Sequence, residues 1–218
     1  MPLAAVIFDF DGTIADSHQA ISACANRVFA EIGCAPVEDA AVHALVGLPL
    51  PEVIARLAPA LEAERCAEAV ARYRAIYAEV ARPLTRVFPG MGELLLELRA
   101  RDIRLAIATG KSTAGAHRAI ADLAIDPTLF AGVVGCDGVP RSKPHPDMVT
   151  LLLERMQVDA ERAEVVGDTT YDVEMAVSAG VVAGGVTWGA HTPDALRRAG
   201  ASWVVETPAA LRARLLDA

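Results

Sequence analysis

From Pro83 onward the chain alternates short apolar runs with helical patterns, and that alternation constrains the fold more than any other feature. Pro89-Gly90 opens a helix through Leu94, Leu95 and Leu98, and Ile103–Ala108 is then a compact apolar run. A helix follows over Ser112–Leu123, with Ser112 placed to cap it. Val133-Val134, Glu164–Val166, Val181–Val186 and Trp203–Val205 read as further strands. Helical patterns cover Pro146–Met156, Tyr171–Ala179 closed by Gly180, Pro193–Ala199 and Pro208–Leu216. Strands alternating with helices predict an α/β fold: a doubly wound parallel sheet covered on both faces. In such a sheet crossovers are right-handed and ligands sit at the carboxyl ends of the strands.

The stretch from about residue 17 to 82 has a different texture. Ala20–Ile32 carries apolar residues at helical spacing, and Pro51–Leu57 and Glu62–Val80 are rich in Ala, Glu and Arg. Breaks at Gly33–Pro36 and Gly47–Pro51 read as loops. A first strand, Val6–Phe8, precedes this segment and belongs with the sheet that follows it. The expected organisation is therefore an α/β core over 1–16 and 83–218, with an all-α cap inserted over 17–82. The hinges fall near Asp16–His18 and Arg82–Val87. An insertion at that point hangs over the strand ends as a lid.

The chain has 218 residues, of which 53% are hydrophobic, enough for a sizeable core. Its formal net charge is −8, so it lacks the basic surface that nucleic acid requires. An anionic substrate would have to be neutralised locally, by a metal, a lysine or backbone N–H groups. The cysteines, Cys24, Cys34, Cys66 and Cys136, show no CxxC pair and no metal-ligand spacing; Cys24 and Cys66 lie in helical patterns and read as small buried side chains, with a disulfide or reactive thiol as the alternative. No basic n-region precedes the first apolar run, and the uncharged stretch Ala176–Ala190 is shorter than the about 20 residues that span a bilayer. These features predict a cytoplasmic protein that binds neither membrane nor nucleic acid; the sequence leaves monomer and homodimer both open.

Polar groups mark four points along the sheet. Asp9 and Asp11 follow the first strand two residues apart, a spacing that puts both on one side. Two carboxylates so placed repel each other and call for a cation or a shared proton. Thr109-Gly110-Lys111-Ser112 offers a hydroxyl and free N–H groups at a strand-to-helix turn, which suits phosphate or an ordinary helix cap. Lys143 stands before Pro144 and Pro146, which both fix φ; a solvated surface lysine is the alternative. Asp168 and Asp172 follow the strand at Glu164–Val166 and could equally cap the next helix. All four groups are expected at strand carboxyl ends around one sheet.

These motifs, Asp9-Phe10-Asp11-Gly12-Thr13, Thr109, Lys143 and Gly167-Asp168-Thr169-Thr170-Tyr171-Asp172, resemble those of the haloacid dehalogenase superfamily. The resemblance spans the whole chain. Ile107-Ala108-Thr109-Gly110-Lys111-Ser112 and Ser142-Lys143-Pro144-His145-Pro146-Asp147 are similar to the phosphoglycolate phosphatase-like branch. The resemblance implies a Rossmann-like core with a helical cap, and an enzyme that hydrolyses a phosphate monoester through an aspartyl-phosphate. It assigns Asp9 as nucleophile and Asp11 as proton shuttle. Mg²⁺ would bind Asp9, the backbone carbonyl of Asp11 and Asp168, with Asp172 behind them orienting water or Lys143. Phe10 and Gly12 would lend N–H groups to the phosphoryl oxygens, beside Thr109, Gly110 and Lys143. The second acid, Asp11, favours phosphoryl transfer over dehalogenation, whose leaving group needs no proton.

Specificity is expected from the cap. The loop Val46-Gly47-Leu48-Pro49-Leu50 is placed to dip toward the site, and its apolar character argues for a small phosphorylated metabolite, with 2-phosphoglycolate leading. His18 and His43 could face the pocket but read as structural. A sugar phosphomutase similar to β-phosphoglucomutase is the alternative. A non-catalytic interaction protein is a third reading, which the complete set of acids opposes.

Overall fold

The computed structural model describes residues 2–217. A six-stranded parallel sheet forms its centre, in the order β5-β4-β1-β6-β7-β8. The strands are β1 (Ala5–Phe8), β4 (Arg104–Ala108), β5 (Phe130–Val134), β6 (Ala163–Gly167), β7 (Val182–Val186) and β8 (Trp203–Val205). The predicted strands are all present, and β5 begins three residues before the Val133-Val134 core of its sequence signal.

The alternation within β1 divides the molecule into layers. Val6 and Phe8 face one core with Leu94, Leu95 and Leu98 of α5 (Met91–Ala100), Ile120 of α6 (Thr113–Asp122), and Leu211 and Leu215 of α10 (Pro208–Leu216). Ala5 and Ile7 face the other, with Met148 and Leu152 of α7 (Asp147–Met156), Val173 of α8 (Thr170–Ser178) and Leu196 of α9 (Pro193–Ala199). Successive strand residues point to opposite faces, so a strand covered on both sides must be apolar throughout. β1 is buried along its whole length.

Strand order reverses direction of winding beside β1. The chain runs from β1 outward to β4 and β5, then returns across β1 to β6. The crevice at such a switch point, above the strand carboxyl ends, is where open α/β sheets bind ligands.

Between β1 and β4 lie α1 (His18–Glu31), α2 (Asp39–His43), α3 (Leu50–Leu57) and α4 (Ala63–Leu84). They bury a core of their own, including Val28, Phe29, Val42, Ile54, Val70 and Ile76. The chain enters them through β2 (Ala15–Asp16) and leaves through β3 (Arg86–Val87), and these two strands pair antiparallel. Helix α4 runs beyond the expected Val80, carrying Pro83 in its last turn. Proline removes one helical hydrogen bond, which costs least where the helix is about to end. The four cysteines are free thiols. Among the described residues no helix is long and apolar enough to cross a membrane.

Candidate active site

The loop after β1 carries the first two acids. Asp9 extends the ladder, its N–H donating to Val166 O at 2.8 Å. The chain then folds back tightly: Ile14 and Ala15 N–H groups donate to Phe10 O, and Gly12 N–H donates to Ala15 O. Gly12 has φ +83°, and a Cβ there would lie 2.3 Å from Asp168 Oδ2. Only glycine meets both demands. The turn commits the Gly12 N–H to Ala15, so it does not serve phosphate as the sequence suggested. Phe10 sends its ring into the sheet's core. Trp188 Nε1 donates to Thr13 O at 3.2 Å and fixes the far side of the turn.

Asp9, Asp168 and Asp172 converge as buried acids, one carboxylate oxygen of each lying within 4.8 Å of the others. Lys143 Nζ lies 2.5 Å from Asp9 Oδ1 and 2.6 Å from Asp172 Oδ1. The lysine is itself fully buried, so the surface alternative is excluded. It does not come from a strand end, however: it stands in the loop between β5 and α7, well past Val134. Burial disfavours its charge, but Asp172 and Asp9 together raise its pKa above the ordinary lysine value.

The last two acids are held by local structure. Thr169 caps α8, accepting from Asp172 N–H, while Asp172 Oδ2 accepts from Thr169 N–H at 3.1 Å and from its hydroxyl at 2.6 Å. This capping box fixes Asp172 as a helix residue and leaves its other oxygen to Lys143. Capping and function, alternatives in the sequence, are thus both true of Asp172. Asp168 Oδ1 accepts from Thr13 Oγ1 at 2.8 Å, and its Oδ2 from Ala190 N–H at 2.8 Å. Asp9 Oδ2 is buried and has no hydrogen-bond partner.

Charge in this cluster does not balance. Burial pushes the Asp9 carboxyl well above its usual range; Lys143 opposes the shift, and Asp172, Asp168 and Asp11 add to it. Burial, then Asp172, pushes Asp168 up to about 7. Three buried carboxylates around one ammonium suit a second cation of hard character.

Asp11 stands apart from that cluster. Its Oδ1 accepts from Ser17 Oγ at 2.6 Å and its Oδ2 pairs with Lys111 Nζ at 3.0 Å. The two acids of the opening motif are therefore relieved by two different lysines, an outcome their spacing does not reveal. Lys111 also donates to Tyr77 Oη at 3.1 Å and lies 4.3 Å from that ring's centroid. Burial works against its charge, yet Asp11 and Tyr77 raise its pKa above the ordinary value. The role of Lys111 escaped the sequence reading because a loop lysine is usually solvated. Its place two residues after Thr109, beyond a buried strand, was the available signal. Ser17, Thr13 and Ala190 were likewise unassigned.

Thr109 is fully buried; its N–H donates to Val134 O, and its Oγ1 accepts from Lys111 N–H at 3.2 Å. Ser112 caps α6 as expected, its Oγ accepting from Gly115 N–H. The loop after α2 reaches the site: a Cβ on Gly110 would meet Gly47 O at 2.5 Å and Leu48 O at 2.7 Å. Tyr171 Oη donates to Ala44 O at 3.2 Å, and His191 Nε2 lies at the same distance from it. His18 and His43 pair with each other, ring centroids 4.7 Å apart, and His43 Nε2 lies 3.0 Å from Ser22 Oγ. Arg141 is exposed and pairs with Asp147.

Comparison with known proteins agrees with this arrangement. Residues 6–186 match the haloacid dehalogenase-like hydrolase family. A Dickeya dadantii protein named "Probable phosphatase IndB" is 40% identical over 206 residues, covering 93% of this chain and 89% of its own. A phosphoglycolate phosphatase of Cupriavidus necator is 32% identical, covering 100% and 95% of the two chains. Among solved structures, a haloacid dehalogenase-like family hydrolase from Streptococcus pneumoniae superposes with a TM-score of 0.85 at 28% identity, covering 97% of this chain and 98% of that one. With its acids, lysines and glycines set at the switch point of a doubly wound sheet, the chain belongs to the haloacid dehalogenase-like hydrolase family.

Proposed function

We propose that this hydrolase is a phosphatase that cleaves a small phosphate monoester through a phosphorylated Asp9. The observation that carries the reading is the Asp9 carboxylate itself: Lys143 holds one oxygen, and the other is buried without a partner. An oxygen so oriented and unencumbered is a nucleophile. It attacks phosphorus, and the bond from phosphorus to the alcohol oxygen breaks. Asp11, in its protonated form, gives that oxygen its proton. As carboxylate it then takes a proton from the water that attacks the Asp9 phosphoryl group, releasing inorganic phosphate and free Asp9. Ser17 and Lys111 hold the Asp11 carboxylate in reach of both steps. Lys143 offsets charge on Asp9 and the phosphoryl oxygens, and Thr109 and the Gly110 N–H orient those oxygens.

The acids also fit a divalent cation. Asp9 and Asp168 would hold Mg²⁺ with the backbone carbonyl of Asp11, while Asp172 stays with Lys143. When bound, the ion offsets the negative charge gathered by substrate and carboxylates. Residues 17–82 act as a cap over this site, excluding water while phosphorus is transferred.

The names of the Dickeya and Cupriavidus relatives support a phosphatase. They also make 2-phosphoglycolate the reference substrate for assay. A sugar phosphomutase needs polar cap groups to grip a sugar, and the apolar loop over Gly110 does not favour it. The test is phosphate release from a panel of monoesters with Mg²⁺. Wild-type protein releases phosphate and Asp9→Asn does not; full activity in Asp9→Asn overturns the mechanism.

A further inference from the structure

Between the helical segment and the sheet lies a cavity of about 440 Å³, partly open to solvent, that borders the site at Asp11, Gly110 and Lys111. Asp11, Gly110 and Lys111 line it from the sheet side. Ile21, Leu48, Val53 and Ile54 line it from the helical side, with the stacked rings of Tyr73 and Tyr77, 5.8 Å apart at 17°. Its volume lies within the roughly 300–1,000 Å³ that suit ligands of drug size. A two-carbon alcohol such as glycolate would leave most of it to water.

Among the described residues, the lining holds no buried cation that is still uncommitted. Lys111 is already committed to Asp11 and Tyr77. The other two cations that line the cavity, Arg74 and Arg118, are exposed, and share the lining with Asp122 and Asp137. An anionic alcohol pressed against Ile21, Leu48 and Val53 would lose water without gaining a counter-charge, which is costly. An apolar body gains by the same burial.

We propose that this cavity receives the alcohol half of the substrate, and that this half is an apolar ring or branched chain larger than glycolate. The assignment rests on the phosphatase reading and names its substrate class. The apolar loop Val46–Leu50 then marks an apolar substrate rather than a small one. Contact with Asp11 carries the argument. On the phosphatase reading Asp11 protonates the leaving oxygen, and Asp11 lines the cavity.

The experiment measures kcat/KM for a series from methyl to hexyl phosphate, for benzyl phosphate and for 2-phosphoglycolate, with Mg²⁺. The expected result is a rise of roughly fourfold per added methylene until the cavity fills. Benzyl phosphate should exceed 2-phosphoglycolate at least tenfold. Ile21→Ser and Val53→Asn each lower the ratio of benzyl to methyl phosphate kcat/KM by roughly tenfold, with thermal unfolding measured in parallel. Both positions are half-buried, so their folding is expected to survive. A flat or falling series, or a preference for 2-phosphoglycolate, overturns the cavity assignment and leaves the phosphatase reading intact. No phosphate from any monoester overturns both.

Discussion

Single residues divide the labour at this site more sharply than the spacing of the acids suggests. Asp9 and Asp11 are two residues apart, yet each answers to its own lysine. Asp11→Asn keeps the shape of the side chain but cannot move a proton. It should lower kcat by about 10²–10⁴-fold while substrate binding persists, read from steady-state kinetics beside direct binding to the inactive protein. Gly12 is constrained twice, by φ +83° and by Asp168 at its α-carbon. Gly12→Ala costs about 1–2 kcal/mol through φ alone. It also drives Asp168 away from Thr13, so Mg²⁺ binding measured by calorimetry should fall even where the protein still folds.

At the scale of elements, the helix α8 does for Asp172 what β1 does for Asp9. The capping box at Thr169 sets the rotamer of Asp172, and Asp172 in turn sets Lys143. Thr169→Ala should cost about 1 kcal/mol in denaturant unfolding, and it should lower phosphate release as well, because the loosened cap frees Asp172. Lys143→Ala removes the ammonium from among buried carboxylates. Breaking such a buried pair costs about 3–5 kcal/mol, and Mg²⁺ should restore part of the lost melting temperature. The strands of the sheet were legible in the sequence as short apolar runs, and the helices between them as mixed segments opened by Pro or a capping residue. The short helix α2 carried no comparable periodicity over its five residues. The roles of Lys111 and Ser17 were not legible either. They depend on which side chains the loops bring within 3 Å of Asp11, and no local pattern encodes that distance. For the same reason the sequence does not reveal that the turn commits the Gly12 N–H to Ala15 O.

At the scale of the whole molecule, the candidate acids and the helical cap belong to separate cores. Asp9, Thr109 and Asp168 are anchored to three adjacent strands of the sheet. The surfaces that would meet the alcohol belong to helices with their own core. A cation bound by the folded acids alone stabilises the whole chain, by about 2.7 kcal/mol at a hundredfold excess over Kd. Thermal unfolding should therefore shift upward with Mg²⁺ in wild-type protein and much less in Asp168→Asn. Equal shifts in both would remove Asp168 from the ion's shell.

The pairing of Ala15 with Val87 and of Asp16 with Arg86 brings the two crossings of the helical segment side by side. To the sheet, everything between them is a single loop, however long it grows. Such a splice would let the helical segment lengthen, shorten or be exchanged while the acids at the strand ends keep their positions. A population of these enzymes can then explore new alcohols without relearning how to break the bond to phosphorus.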